Sequence, residues 1–277
     1  MSFFAHKVVL ITGGAAGIGR ALGASLIAAG ARVYLADVDG DLLRETVAGL
    51  AEAAEQGSPG RLESVELDVT DAERFHAVID EIVSRHGGID FLFNNAGVGA
   101  TGEAQDLPSG AWDRLIDVNL RGTVNGVRAA YPHMLKRGSG HIANIACAAG
   151  LVPFPMTVPY SATKHGVVGL SGALRAEAAD KGVRVSVICP GVVDTDMFDS
   201  IEYFGVDKEA LLSPASRAMM SPEACARRIL RGLRKNRAVI TVGLSSRLVW
   251  WLYRLAPGAF LRLAQTGFGI FRRRLQP

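Results

Sequence analysis

The chain has 277 residues, 49% of them hydrophobic and 21% charged, which is enough apolar material for one large core and excludes whole-chain disorder. Its three cysteines, Cys147, Cys189 and Cys225, have no CxxC spacing and read as free thiols in a reducing cytoplasm; the six histidines form no HExxH pair, so no metal site is expected. The net charge of +3 conceals a division: residues 1–223 carry −9, whereas the chain from Ala224 onward carries twelve Arg or Lys and no Asp or Glu.

In chain order, Lys7–Thr12 reads as a buried strand, Gly17–Ala29 as a helix and Arg32–Ala36 as a second strand. Met1–Leu10 reaches strand-like sequence too early for a secretory signal. Asp41–Gln56 follows as a helix and Arg61–Leu67 as a strand. Thr70, Asp71, Ala72 and Glu73 resemble a capping box that opens a helix to about His86. Ile89–Phe93 is apolar throughout, as a central parallel strand should be. Ser109–Arg137 is helical, His141–Ala146 a strand, Pro159–Asp180 a long helix and Val183–Ile188 a strand. Residues 192–221 lose periodicity and are expected to form a lid over a site. Pro222–Lys235 resumes as a helix and Ala238–Val242 as a last strand. Strands separated by helical crossovers predict an α/β fold with a doubly wound parallel sheet in one domain, residues 1–244. The longest stretch without a charged side chain, Gly138–Thr163, holds His141, Asn144 and three prolines, so no membrane span is expected and the protein reads as soluble.

Thr12-Gly-Gly-Ala-Ala-Gly-Ile-Gly19 lies between the first strand and the first helix. Small residues at Gly13, Ala16, Gly17 and Gly19 let the backbone turn sharply and approach a pyrophosphate at a helix N-terminus, with Ile18 among the residues expected to bind it. Asp37 ends the second strand, eighteen residues beyond Gly19. A carboxylate there accepts bonds from adenosine ribose hydroxyls and repels a 2′-phosphate, so NAD is expected in preference to NADP.

Tyr160 and Lys164 stand four apart at the start of the long helix, on one face. A phenol is a poor proton shuttle near neutrality unless a neighbouring ammonium stabilises its anion. With Thr12–Gly19, Asp68, Asn94-Asn-Ala-Gly97, Asn119 and Pro190-Gly191, the pair resembles the classical short-chain dehydrogenase/reductase family over about residues 5–245. The resemblance implies a Rossmann-type sheet of about seven strands, a nicotinamide cofactor and interconversion of an alcohol and a carbonyl. It implies that Asp68, with Val69 beside it, meets the adenine; that Asn95, Ala96 and Gly97 line the adenosine ribose side; and that Pro190, Gly191, Val193 and Thr195 border the carboxamide. Tyr160 would be the general acid/base, Lys164 would also bind the nicotinamide ribose, and Asn119 would hold a water in a proton relay.

One position departs from the family pattern. Thirteen residues before Tyr160, where a serine is usual, stands Cys147. A thiol is a bulkier and weaker donor than a hydroxyl. Two readings follow: an NAD-dependent dehydrogenase attenuated by Cys147, or an NAD-binding sensor or scaffold with impaired catalysis.

Leu151-Val-Pro-Phe-Pro-Met156, with Ile201, Tyr203, Phe204, Leu211 and Leu212, predicts an apolar pocket for a hydrophobic secondary alcohol or ketone of steroid, terpenoid or lipid type. Residues 245–277 form a basic, aromatic extension. Arg247 and Arg254 share one helical face, with Leu248, Trp251, Leu252 and Leu255 largely opposite, and Pro257-Gly258 interrupts the helix. Such a segment either packs on a neighbouring subunit of a homodimer or homotetramer, or covers the pocket, or lies peripherally in a membrane interface. No nucleic-acid motif accompanies the charge.

Overall fold

A computed structural model describes residues 2–55, 60–206 and 219–275. Strands β1 (Val8–Thr12), β2 (Arg32–Asp37), β3 (Arg61–Glu66) and β4 (Phe91–Asn94) alternate with helices α1 (Gly17–Ala28), α2 (Gly40–Glu55) and α3 (Ala72–His86). A short strand β5 (Ala100–Gly102) leads to α4 (Ser109–Leu115), a π-helical turn (Ile116–Arg121) and α5 (Gly122–Arg137). Then come β6 (Gly140–Ile145), α6 (Val158–Glu177), β7 (Val183–Pro190), the one-turn α7 (Met197–Ser200) and β8 (Glu202–Phe204). The chain continues through α8 (Pro222–Arg234), β9 (Val239–Val242), α9 (Leu244–Leu255) and α10 (Pro257–Leu275).

Seven strands form one parallel sheet in the order β3-β2-β1-β4-β6-β7-β9. Alternate residues of β1 serve opposite faces, as the two-residue strand period requires. Val9 and Ile11 join Leu22, Leu26, Ile229 and Leu233 beneath α1 and α8, whereas Leu10 joins Phe75, Ile79, Leu92 and Val185 beneath α3 and α5. Because both faces are covered, β1 is buried along its whole length. Winding reverses between β1 and β4, so a crevice opens at the carboxyl ends of these strands.

Three local expectations need correction. Asp71, not Thr70, caps α3: its side chain accepts the Arg74 N–H at 2.9 Å, while Thr70 turns back and donates to Asp68. The helix expected over Ser109–Arg137 is continuous but widens into a π turn at Ile116–Arg121. Finally, the expected irregular lid contains β8, which pairs in parallel with β5 through Ala100↔Glu202 and Gly102↔Phe204. Leu211 and Leu212 lie outside the described residues.

Candidate active site

The loop from β1 to α1 is shaped by its glycines. Gly13 and Gly17 have positive φ (64° and 50°), a region that disfavours a Cβ. A Cβ on Gly13 would lie 2.8 Å from Ala96 Cα, and one on Gly19 would lie 2.0 Å from the Gly13 carbonyl oxygen. Helix α1 starts after Ala16, which provides no side-chain cap, and its first turn has no acidic residue. Its free N–H groups and positive dipole end therefore suit an anion. Asp37 closes the other side. One of its carboxylate oxygens accepts the Ala15 N–H at 3.0 Å and the other the Asp39 N–H at 3.3 Å.

Thr12 and Asn95 clasp the two central loops. Thr12 Oγ1 accepts the backbone N–H groups of Asn95 and Ala96, both at 3.0 Å. The Asn95 amide donates to the carbonyls of Thr12 and Gly13, both at 2.9 Å. Asn95 thus spends its side chain on the scaffold, and what it offers a ligand is backbone. Asp68 is exposed; one oxygen takes both the N–H and the hydroxyl of Thr70, at 2.8 Å each, while Val69 beside it is buried. Thr195 reaches back over the glycine loop: a Cβ on Gly17 would stand 3.1 Å from its Cγ2. Val193 is buried and bridges to Met220. Pro190 pairs with Val242, and the Gly191 N–H donates to the Val242 carbonyl at 3.0 Å.

Tyr160, Lys164, Asn119 and Cys147 converge at the same end of the sheet. Lys164 is 3% exposed; its Nζ donates to the Ile145 carbonyl at 3.1 Å and lies 5.5 Å from the centre of the Tyr160 ring. Burial lowers this ammonium from its ordinary 10.5 to about 8, against a smaller upward pull from the sulfurs of Cys147 and Cys189. Burial also holds the Tyr160 phenol well above its ordinary value, and the Cys147 side chain hydrogen-bonded to it adds to the rise. Asn119 is fully buried in the π turn. Its side chain accepts the Val98 N–H at 2.9 Å and donates to the Val98 carbonyl at 3.0 Å, and its own carbonyl accepts the Thr123 hydroxyl at 2.8 Å. Gly97 fills the space between: a Cβ there would lie 2.9 Å from Asn119 Oδ1 and 3.4 Å from Lys164 Nζ. Widened turns of this kind recur where a helix must present a group to a site. Cys147 is extended, half-buried and free, at the start of a short 3₁₀ turn, Ala148–Gly150. Ser161, the nearest hydroxyl in sequence to Tyr160, is turned away toward Thr157 at 3.2 Å.

Beneath the site runs a buried polar chain that sequence reading missed. The Asn94 amide donates to Asn144 at 2.8 Å, Asn144 to Ser171 at 2.9 Å, and Ser171 to the Val167 carbonyl at 2.7 Å, tying β4, β6 and α6 together. Only its polar spelling inside apolar strands could have signalled it.

The predicted apolar wall is divided. Leu151 and Val152 are buried, Leu151 packing with Val167, Val187 and Cys189. Ile201 instead closes on Gly99, and Phe204 packs with Leu107, Ala111 and Leu115 in the cluster that also holds Tyr160. Beside it lies a cavity of about 250 Å³ lined by Met156, Gly205, Val206, Glu103, Gln105 and Asp106, and by Phe268 and Arg272 of α10. Arg272 pairs with Glu103 at its rim.

A doubly wound parallel sheet, a glycine loop at its switch point and a tyrosine–lysine pair beside it are the layout of a dinucleotide-binding oxidoreductase. The family model for short chain dehydrogenases matches residues 7–203. SadH of Mycobacterium tuberculosis, designated an oxidoreductase, is 36% identical over 276 residues, spanning 98% of each chain and hence reaching into α9 and α10. The 3-oxoacyl-acyl-carrier-protein reductase FabG of Thermotoga maritima is 34% identical over 195 residues, 70% of this chain and 77% of FabG. Among solved structures, a short-chain dehydrogenase/reductase from Burkholderia phymatum in complex with NAD superposes with a TM-score of 0.81 at 29% identity, covering 92% of this chain and 95% of that one. The chain belongs to the classical short-chain dehydrogenase/reductase family. Among the described residues, no helix is long and apolar enough to cross a membrane.

Proposed function

We infer that this oxidoreductase is an NAD-dependent dehydrogenase or carbonyl reductase of an apolar secondary alcohol or ketone. The observation that carries the reading is the convergence of Tyr160, buried Lys164, Asn119 and Gly97 beside the glycine loop. The NAD of the Burkholderia neighbour and the carbonyl substrate in FabG's name agree with it.

The cradle fits a dinucleotide, because Gly13, Gly17 and Gly19 leave the space that side chains would fill and the first turn of α1 is uncapped. When bound, the nicotinamide supplies the hydride donor or acceptor. Gly13, Ala16, Gly17, Ile18 and Gly19 hold the pyrophosphate. Asp37 accepts the ribose hydroxyls and repels a 2′-phosphate. Asp68 and Val69 meet the adenine, the backbone of Asn95–Gly97 lines the ribose side, and Pro190, Gly191, Val193 and Thr195 border the carboxamide. Tyr160 exchanges a proton with the substrate oxygen, the Lys164 ammonium stabilises the phenolate, and Asn119 holds a water in the proton relay to Lys164. Cys147 offers the substrate oxygen a weak S–H donor.

The test is a panel of steroid, terpenoid and long-chain secondary alcohols, with small polyols as controls, followed by NADH absorbance and repeated with NADP. Turnover of the apolar alcohols with a higher kcat/KM for NAD is expected. Activity confined to polyols rejects the substrate class, and an NADP preference rejects the role of Asp37. Tight NAD binding with no turnover at all selects the sensor or scaffold.

A further inference from the structure

Helix α9 is held to the catalytic body by one face only. Ser246 is buried, close enough to Gly191 that a Cβ there would lie 2.4 Å from its Oγ, and Trp250 packs against the cluster of Leu151, Val167 and Cys189. This fixes the helix in rotation and turns its other face outward. That face carries Leu244, Leu248, Trp251, Leu252 and Leu255, at 84, 62, 48, 52 and 75% exposure. Their spacing of four, three, one and three is a single helical stripe. Helix α10 continues the pattern: Phe260 packs on Tyr253 with ring centres 5.4 Å apart and Arg272 is paired with Glu103, while Leu263 and Ile270, seven residues apart, face outward at 73 and 54%.

The charge around the stripe narrows what can cover it. From Leu244 to the end the sequence has six arginines and no acidic residue. Arg247 borders the α9 stripe, and the Arg254 guanidinium lies over the rings of Trp250 and Trp251, 5.1 and 5.6 Å from their centres. A second copy meeting this face about a two-fold axis would bring only the same segment, which holds no acidic residue from Leu244 onward to answer these arginines. An anionic lipid surface needs neither self-complementarity nor shape. Leucines and a tryptophan enter the acyl boundary while arginines stay among the headgroup phosphates.

We propose that α9 and α10 form a docking face for an anionic membrane surface, with α9 lying in the interface through Leu248, Trp251, Leu252 and Leu255. The face adjoins the substrate side, since Phe268 and Arg272 of α10 line the cavity next to Met156. The proposal is independent of the catalytic reading, because binding needs neither cofactor nor turnover.

The experiment is flotation of the full chain with phosphatidylcholine vesicles, with and without added phosphatidylglycerol, at low and high salt. It is accompanied by light scattering for oligomeric state and by NAD titration as a check on folding. The wild type is expected to float with the anionic vesicles and to be released by salt. The triple variant Leu248→Ser/Trp251→Ser/Leu252→Ser should lose at least about tenfold in partitioning, with oligomeric state and NAD affinity unchanged. Arg247→Gln/Arg254→Gln should weaken binding to the anionic vesicles alone. Absence of wild-type flotation overturns the proposal. So does equal flotation of the triple variant, which would place the contact elsewhere, and so does dissociation of an oligomer by the triple variant, which would make the stripe a subunit interface.

Discussion

At the scale of single residues, Cys147 sets the sharpest test of the proposed chemistry. A preorganised donor to a reacting oxygen contributes about 10²- to 10³-fold in rate. A thiol retains part of that, so a deficit of about 10- to 100-fold is expected. Cys147→Ser should raise kcat by that factor and leave the Kd for NAD unchanged, and Tyr160→Phe should abolish turnover in either background. A fall in kcat on Cys147→Ser would show the thiol to be a working group. Lys164 gives a second test, in stability. Its folded pKa of about 8 lies below its ordinary 10.5, so the folded state resists the charge. That cost is fully present below pH 8 and disappears as pH rises past 10.5. Lys164→Met should therefore stabilise the cofactor-free protein at pH 7 by at most about 3 kcal/mol, with a gain that shrinks above pH 8 in urea titrations, while activity is lost. The pairing of Tyr160 with Lys164 was legible in the sequence, because helical spacing converts four residues into one face. The pair of hydrogen bonds between Asn119 and Val98 was not, because it joins the π turn to a loop that local pattern does not connect to it.

Among elements, β8 shows where pattern reading fails. Three residues long, it is stabilised by β5, a strand a hundred residues earlier, and so leaves no periodic trace of its own. The long strands and helices around it were legible because alternation and amphipathicity persist over many residues. The β5–β8 ladder carries Ile201 and Phe204 onto the Tyr160 side, so loosening it should act on substrate and not on cofactor. A Cβ at Gly102 would stand 2.6 Å from the Phe204 carbonyl oxygen and 3.0 Å from its Cβ. Gly102→Val should push β8 away and raise KM for an apolar alcohol about tenfold, on the order of 1.4 kcal/mol, with the Kd for NAD unmoved. Equal changes in both constants would show that the ladder supports the whole cleft.

For the molecule as a whole, a histidine buried in the sheet couples stability to pH. His141 is 2% exposed on β6; its Nε2 pairs with Ser186 at 2.8 Å, and its Nδ1 has no protein partner among the described residues. Burial, with smaller contributions from Arg184 and Arg175, lowers its pKa from 6.5 to about 3. The unfolded chain therefore takes up a proton first. The stability due to neutral His141 is complete above pH 6.5 and is lost as pH falls toward 3, at about 1.4 kcal/mol per pH unit. Unfolding free energy from urea titrations should drop between pH 6.5 and 5, and His141→Gln should flatten that slope; an unchanged slope would assign the loss to other groups.

The stitching of Pro190 and Gly191 to Val242 also governs when the cleft can exist during folding. All the sheet's pairings are parallel, and each must close a long loop before any contact rewards it. Pro190 and Gly191 gain their backbone partner only when a strand about fifty residues farther along is made and docked. Until then β7 presents a bare edge to any other strand, so misassembly competes with maturation of this chain up to the moment β9 arrives.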